Sequence, residues 1–250
     1  MKSVFDINIL RSIKDSLGRF VAIAGIVALG CGFYAGLRMT APDMDMAADA
    51  YYDQADLMDI RVVSTLGLTD ADLQAIRAVP GVQAVEGGYE TDVMVTLNDE
   101  QYAMRVHSLP YVALASESGD GGATIASEAE QDALNKLTLV EGKWPAAPDE
   151  CVISADNVMN APVALGDVIR VDEGVQNLDD TLTVRSYRIV GFAHSPYYVS
   201  TTAMGSTSLG SGVIDQFMYV PVNDFAADLP YTEAFIQVSG AKAKLSGSTA

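Results

Sequence analysis

Eighteen consecutive residues, 20–37 (FVAIAGIVALGCGFYAGL), carry no charge. As a helix they reach roughly 27 Å, close to the hydrocarbon thickness of a bilayer. This segment is therefore expected to be a transmembrane helix. Arg11, Lys14 and Arg19 precede it, whereas Asp43, Asp45, Asp49, Asp53, Asp56 and Asp59 follow with only Arg38 as a nearby positive charge. The whole chain sums to -18, yet residues 1–38 sum to +3, so the remainder carries -21. Basic residues are retained on the cytoplasmic side. The expected placement is the plasma membrane, with the N-terminus cytoplasmic and the main domain extracytoplasmic. A cleaved signal peptide would share the basic head and the apolar run. The run, however, exceeds the roughly 7–15 residues of such leaders, and a long segment precedes it. Leu10, Ile13, Leu17 and Phe20 recur at helical spacing, so residues 1–19 are expected to form an amphipathic helix on the cytoplasmic surface.

Ala24, Ala28, Gly32 and Gly36 recur every four residues and place small side chains along one face of the spanning helix. In lipid, small residues let a second backbone come close. This face is the expected packing surface for further transmembrane helices or a second copy of the subunit.

Residues 38–58 are helix-compatible and are expected to extend the spanning helix outward as a stalk. Asp45, Asp49 and Asp53 would form a solvated stripe there, because the Gly and distal Glu of a calcium loop are missing. Beyond it, an expected strand at 59–64 leads to Thr69, a helix cap, and a helix to about residue 79, ended by Pro80-Gly81. Expected strands follow at 82–85, 89–97 and 102–107, the last two joined by a turn at Asn98-Asp99. A Ser/Gly/Asp-rich stretch, 116–122, marks a subdomain boundary. Further strands are expected at 150–154, 168–172, 182–192, 216–221 and 232–239, with a short helix at 222–229 and a mobile Ser/Thr/Gly-rich loop at 201–212. The fold class is α+β: a split β-α-β subdomain (59–115 and 213–250) with an inserted β-rich subdomain and loop (116–212).

Chemistry-bearing residues are few. Cys31 lies in the spanning segment and Cys151 outside it, so no disulfide is expected between them. One external Cys with His107 and His194 is too few for a zinc site of the usual Cys/His kind. The stretch 205–212, GSTSLGSG, spaces glycines like a phosphate loop but has Ser211 where the loop needs Lys. No nucleophile pairs with a base, so no catalytic, cofactor-binding or metal residue is assigned and the chain is not expected to be an enzyme. Tyr111, Trp144, Tyr197, Tyr198 and Tyr231 either pack on the sheets or anchor an external contact. At 49% hydrophobic and 19% charged, the chain is too apolar for disorder, and its acidity excludes a nucleic-acid partner.

Taken in order, the basic amphipathic head, the span ending GFYAGLRMTAPDM, the run DIRVVSTLGLTDADLQAIRAVPGVQAVEGGY, the later EGKWPAAPDECVIS with LGDVIRV, and SPYYVSTT are similar to the start of an FtsX-like ABC transporter permease with a MacB-type periplasmic core domain. The resemblance implies a permease subunit without ATPase activity of its own, partnered by a separate ABC ATPase. It would couple hydrolysis to movement of the extracytoplasmic domain, for export of a substrate or signalling to an envelope partner. Such permeases have several spanning helices, so the chain is expected to be an N-terminal fragment. A single-pass, membrane-anchored binding or sensor protein is the alternative.

Overall fold

The computed structural model describes residues 17–109, 113–114, 124–125, 133–156, 162–198 and 204–243. They fall into two compact units, one within residues 1–50 and one within residues 51–244.

Helix α1 (Leu17–Gln54) runs for 38 residues without a break, through Pro42, and buries none of them. It contains the expected span 20–37 and nearly all of the expected stalk. Among the described residues it is the one helix long and apolar enough to cross a bilayer. The amphipathic helix expected at 1–19 lies, but for its last three residues, outside the described residues, as do the boundary loop 116–122 and Tyr111.

The second unit is built on strands β1 (Ile60–Leu68), β2 (Val82–Gly88), β3 (Glu90–Leu97), β4 (Glu100–Ser108), β5 (Ala113–Leu114), β6 (Thr124–Ile125), β7 (Thr138–Gly142), β8 (Glu150–Ser154), β9 (Val168–Gly174), β10 (Ser186–His194), β11 (Gln216–Val220) and β12 (Tyr231–Val238). Three of them form a small antiparallel sheet in the order β1-β12-β2. Helix α2 (Asp70–Arg77) packs on it through Leu73, which joins Val85, Ala234 and Ile236. Thr69 and Asp72 cap α2 reciprocally, each side chain bonding the other's backbone N–H, which satisfies donors that the helix itself cannot.

Seven strands form a larger mixed sheet in the order β7-β10-β8-β11-β4-β3-β9. Because β9 also pairs with β10, six of these strands close into a ring, and β7 attaches to β10 outside it. Alternation then divides the side chains. Val93, Val95, Met104, Val106, Ile153, Ile169, Tyr187, Ile189 and Met218 fill the interior, as expected of a small barrel. Val152, Ala193, Phe217 and Tyr219 belong to a second cluster, with Leu109, Leu137, Trp144, Met204 and Ile214.

Two buried carboxylates show what burial does with and without partners. Glu150 accepts hydrogen bonds from Ala146 N and Lys143 Nζ, both at 2.9 Å. Burial pushes its carboxyl up, and these bonds outweigh it, so the group sits below its ordinary range. Asp224 is fully buried, and neither of its carboxylate oxygens has a hydrogen-bond partner. Burial, with the charge of Asp149 adding to it, raises that carboxyl to about 7.

Three features differ from the sequence expectation. The stretch 222–229 forms only a 3-10 turn, Val222–Asp224, because the chain is drawn straight by a bridge between Phe225 and Leu182. Strand β7 is too short to show a period. The strands expected together in one subdomain part company at Tyr89: β1, β2 and β12 make the small sheet, while β3, β4 and β11 join the barrel. Alternation identifies a strand but not the sheet it enters. Tyr89 marks the crossing, stacked between Phe225 and Tyr231 with 5.1 Å to each ring.

Candidate functional site

The hairpin β3–β4 sets the site. Asn98 and Asp99 both have positive φ (52° and 65°), the two-residue turn that matches strand twist. That turn fixes the register, which sets Asp92 opposite Arg105 and Glu90 opposite His107. All four lie on the face opposite the barrel interior, because Thr91, Val93, Met104 and Val106 take the alternate positions.

Arg61 of β1 and Glu233 of β12 meet this face. The Arg61 guanidinium donates to Glu233 Oε2 at 2.6 Å and to Glu90 Oε2 at 2.7 Å. Arg105 grips Asp92 with two bonds, Nε to Oδ1 at 2.7 Å and Nη2 to Oδ2 at 3.0 Å, and its Nε lies 3.5 Å from Glu90 Oε1. Of these ion pairs, Arg61–Glu90 ties the small sheet to the barrel, while Arg61–Glu233 lies within the small sheet and the Arg105 pairs lie within the β3–β4 hairpin. Bidentate geometry makes the Arg105 pair the strongest of them.

His107 sits at the centre. Its Nδ1 lies 3.7 Å from Glu233 Oε1 and 3.9 Å from Glu90 Oε2, and its Nε2 is 2.6 Å from the Tyr198 hydroxyl. Its ring stacks on Tyr219, which is opposite it in the β4–β11 register, at 5.0 Å. Tyr197 flanks it, with the Arg61 guanidinium 5.3 Å from the Tyr197 ring centre. Burial pushes the Glu233 carboxyl upward, but His107 and Arg61 outweigh it and hold the group below its usual range. A cavity of about 20 Å³, lined by Glu86, Gly88, His107, Tyr197, Tyr219 and Glu233 among others, opens beside the imidazole. Glu86 accepts from Leu134 N at 2.8 Å, yet burial raises its carboxyl to about 7. Gly88 keeps the cavity open: a Cβ there would stand 2.9 Å from the Phe235 ring and 3.3 Å from Glu233 Cγ.

The residues singled out from the sequence are placed as follows. Ala24, Ala28, Gly32 and Gly36 are exposed along α1, and a Cβ added at Gly32 or Gly36 would meet nothing within 4 Å. Cys31 is exposed on α1, and Cys151 is buried in the barrel with its thiol pushed up chiefly by burial; both are free. His194 is a surface residue 3.5 Å from Asp156. The Gly/Ser stretch folds back at a bridge between Ser206 and Val213, and the Ser206 carbonyl accepts from Arg105. Trp144 and Tyr198 pack in the second cluster, and Tyr231 stacks on Tyr89.

Counting Cys and His overlooked the carboxylates and arginines that gather around His107. The pairs Asp92–Arg105 and Glu90–His107 follow from the Asn98-Asp99 turn once its two-residue register is assigned. Arg61 and Glu233, 172 residues apart, leave no local signal.

No sequence-family model matches the chain, and no curated protein matches it. Among solved structures the chain is similar to the extracellular domain of the noncanonic ABC-type transporter YknZ from Gram-positive bacteria, at 13% identity and a TM-score of 0.38, covering 71% of this chain and 76% of that one. It is also similar to the periplasmic region of MacB from Actinobacillus actinomycetemcomitans, at 10% identity and a TM-score of 0.36, covering 72% and 67%.

Proposed function

We propose that this chain is a membrane subunit of an ABC-type transporter or mechanotransmission complex, without catalytic activity of its own. Residues 20–37 span the plasma membrane, the N-terminus is cytoplasmic, and the strand-built unit is extracytoplasmic. A separate ATPase moves the spanning helices, and the movement reaches the outer unit for export or envelope signalling.

The observation that carries the reading is the continuity of α1, whose apolar turns pass without a break into the polar turns ending at Gln54. The chain just beyond that end is tied firmly. Lys136 N donates to the Ala55 carbonyl at 2.7 Å, Asn135 N donates to the Asp56 carbonyl at 2.9 Å, and the Asp56 carboxylate pairs with Lys136 and Lys242. These contacts fix the chain at the start of the second unit. The charge step from +2 before the span (residues 1–19) to -20 after it (residues 38–250) supports the orientation.

The test is purification of the full-length gene product from native membranes. The expected result is a co-purifying ATPase whose hydrolysis rate falls when Asp56→Ala loosens the helix end. A full-length product with no further spanning segment and no associated ATPase would overturn the proposal in favour of a single-pass sensor.

A further inference from the structure

Three metal-ligating side chains, His107, Glu233 and Glu90, bring a donor atom each to one place. His107 Nδ1, Glu233 Oε1 and a Glu90 carboxylate oxygen all lie within 4.8 Å of one another, and the two distances from Nδ1 are 3.7 and 3.9 Å. Those gaps are too long for hydrogen bonds. They are close to the edge of a tetrahedral zinc site, about 3.4 Å for bonds of roughly 2.0–2.1 Å.

The side chain that points most directly to a ligand is Glu233. It is 1% exposed, Arg61 takes its Oε2, and its Oε1 has no hydrogen-bond partner. A buried carboxylate oxygen left unpaired is costly, so something positive is called for there. The imidazole is also prepared. Its Nε2 lies 2.6 Å from the Tyr198 hydroxyl, and in the tautomer whose Nε2–H donates to that oxygen, Nδ1 offers its lone pair on the side of the carboxylates, the outer-partner arrangement that orients metal-binding histidines. The adjoining cavity of about 20 Å³ holds about one water, enough for a fourth ligand.

We propose that His107, Glu233 and Glu90 bind a divalent transition-metal ion, with Zn²⁺ the best fit, and that the ion clamps β12 of the small sheet to β3 and β4 of the barrel. The imidazole donor excludes calcium and magnesium, which take oxygen ligands. Three carboxylates, Glu90, Asp92 and Glu233, face two guanidiniums, Arg61 and Arg105, so the cluster keeps one surplus negative charge for a cation. Arg61 and Arg105 hold the carboxylates in place from outside.

The test uses the full chain in detergent, stripped of metal and titrated with Zn²⁺ by calorimetry and with Co²⁺ by visible absorption. The expected result is one high-affinity site per chain, a tetrahedral Co²⁺ spectrum, at least a 100-fold loss in His107→Gln, and about a 10-fold loss in Tyr198→Phe. Should His107→Gln fail to fold, X-ray absorption of the Zn²⁺-loaded wild type decides, through a shell of one imidazole nitrogen and two or three oxygens. A shell of oxygens alone, an unchanged affinity in a folded His107→Gln, or no binding tighter than about 100 µM overturns the proposal.

Discussion

Asp224→Asn replaces a fully buried carboxyl without hydrogen-bond partners by an uncharged side chain of the same shape. In the native protein burial holds that carboxyl at about 7, against an ordinary value of 3.8 in the unfolded chain. Between those values the folded state keeps the proton and the unfolded state releases it, so wild-type stability falls as pH rises from about 4 to about 7 and is flat above. About three pH units at about 1.4 kcal/mol each give at most ~4 kcal/mol. The variant has no proton to lose there, so its advantage over wild type should grow by that amount between pH 4 and pH 8. With a urea slope of about 2 kcal/mol/M, the difference between their midpoints changes by roughly 2 M. Trp144, the chain's one tryptophan and a buried one, reports unfolding by fluorescence of the full chain in detergent. The buried amide adds an offset of roughly 1–3 kcal/mol that is the same at every pH. Glu86 titrates in the same window but is common to both proteins and cancels. The slope of the difference is therefore the measurement, and parallel midpoint curves from pH 4 to pH 8 would refute the reasoning.

Arg61→Met leaves Glu233 buried without its guanidinium and should cost about 3 kcal/mol in the same urea assay; pairing it with Glu233→Gln should recover much of that loss. Thr69→Ala removes half of the reciprocal cap on the eight-residue α2 and should cost about 1 kcal/mol. Cys151, buried with a raised thiol, should resist maleimide in the folded protein and label fully in denaturant, as mass spectrometry will show. Cysteines introduced one at a time along α1 in native membranes should crosslink on the face of Ala24, Ala28, Gly32 and Gly36 and not on the opposite one; labelling without face preference argues against a packed helix.

Much of the fold was legible because local chemistry decides it. The uncharged run at 20–37, the cap at Thr69 and the turn at Asn98-Asp99 each act within a few residues, and α1, α2 and the β3–β4 hairpin formed where those signals stood. Closure of the barrel was not legible, because the β9–β10 pairing depends on the tilt and stagger of every strand between. The site was half visible. In the sequence His107 counts only among too few Cys and His residues for a zinc site, while its partners on β1 and β12 come from opposite ends of the folded unit and meet only through the small sheet. The stretch 222–229, expected as a short helix, is instead drawn straight by a tertiary bridge at Phe225 that no local signal announces.

The position of β12 between β1 and β2 has a consequence for how the chain is made. The two earlier strands do not pair with each other, so both must wait for the stretch Tyr231–Val238, which leaves the ribosome more than 140 residues after β2. Pairings of such long range close late and slowly. The barrel's β3–β4 hairpin can form at once, while the edges of β1 and β2 stay exposed until synthesis has passed Val238. Arg61 and Glu233 can meet only once that strand has been made, so the charged cluster exists only in chains completed through it.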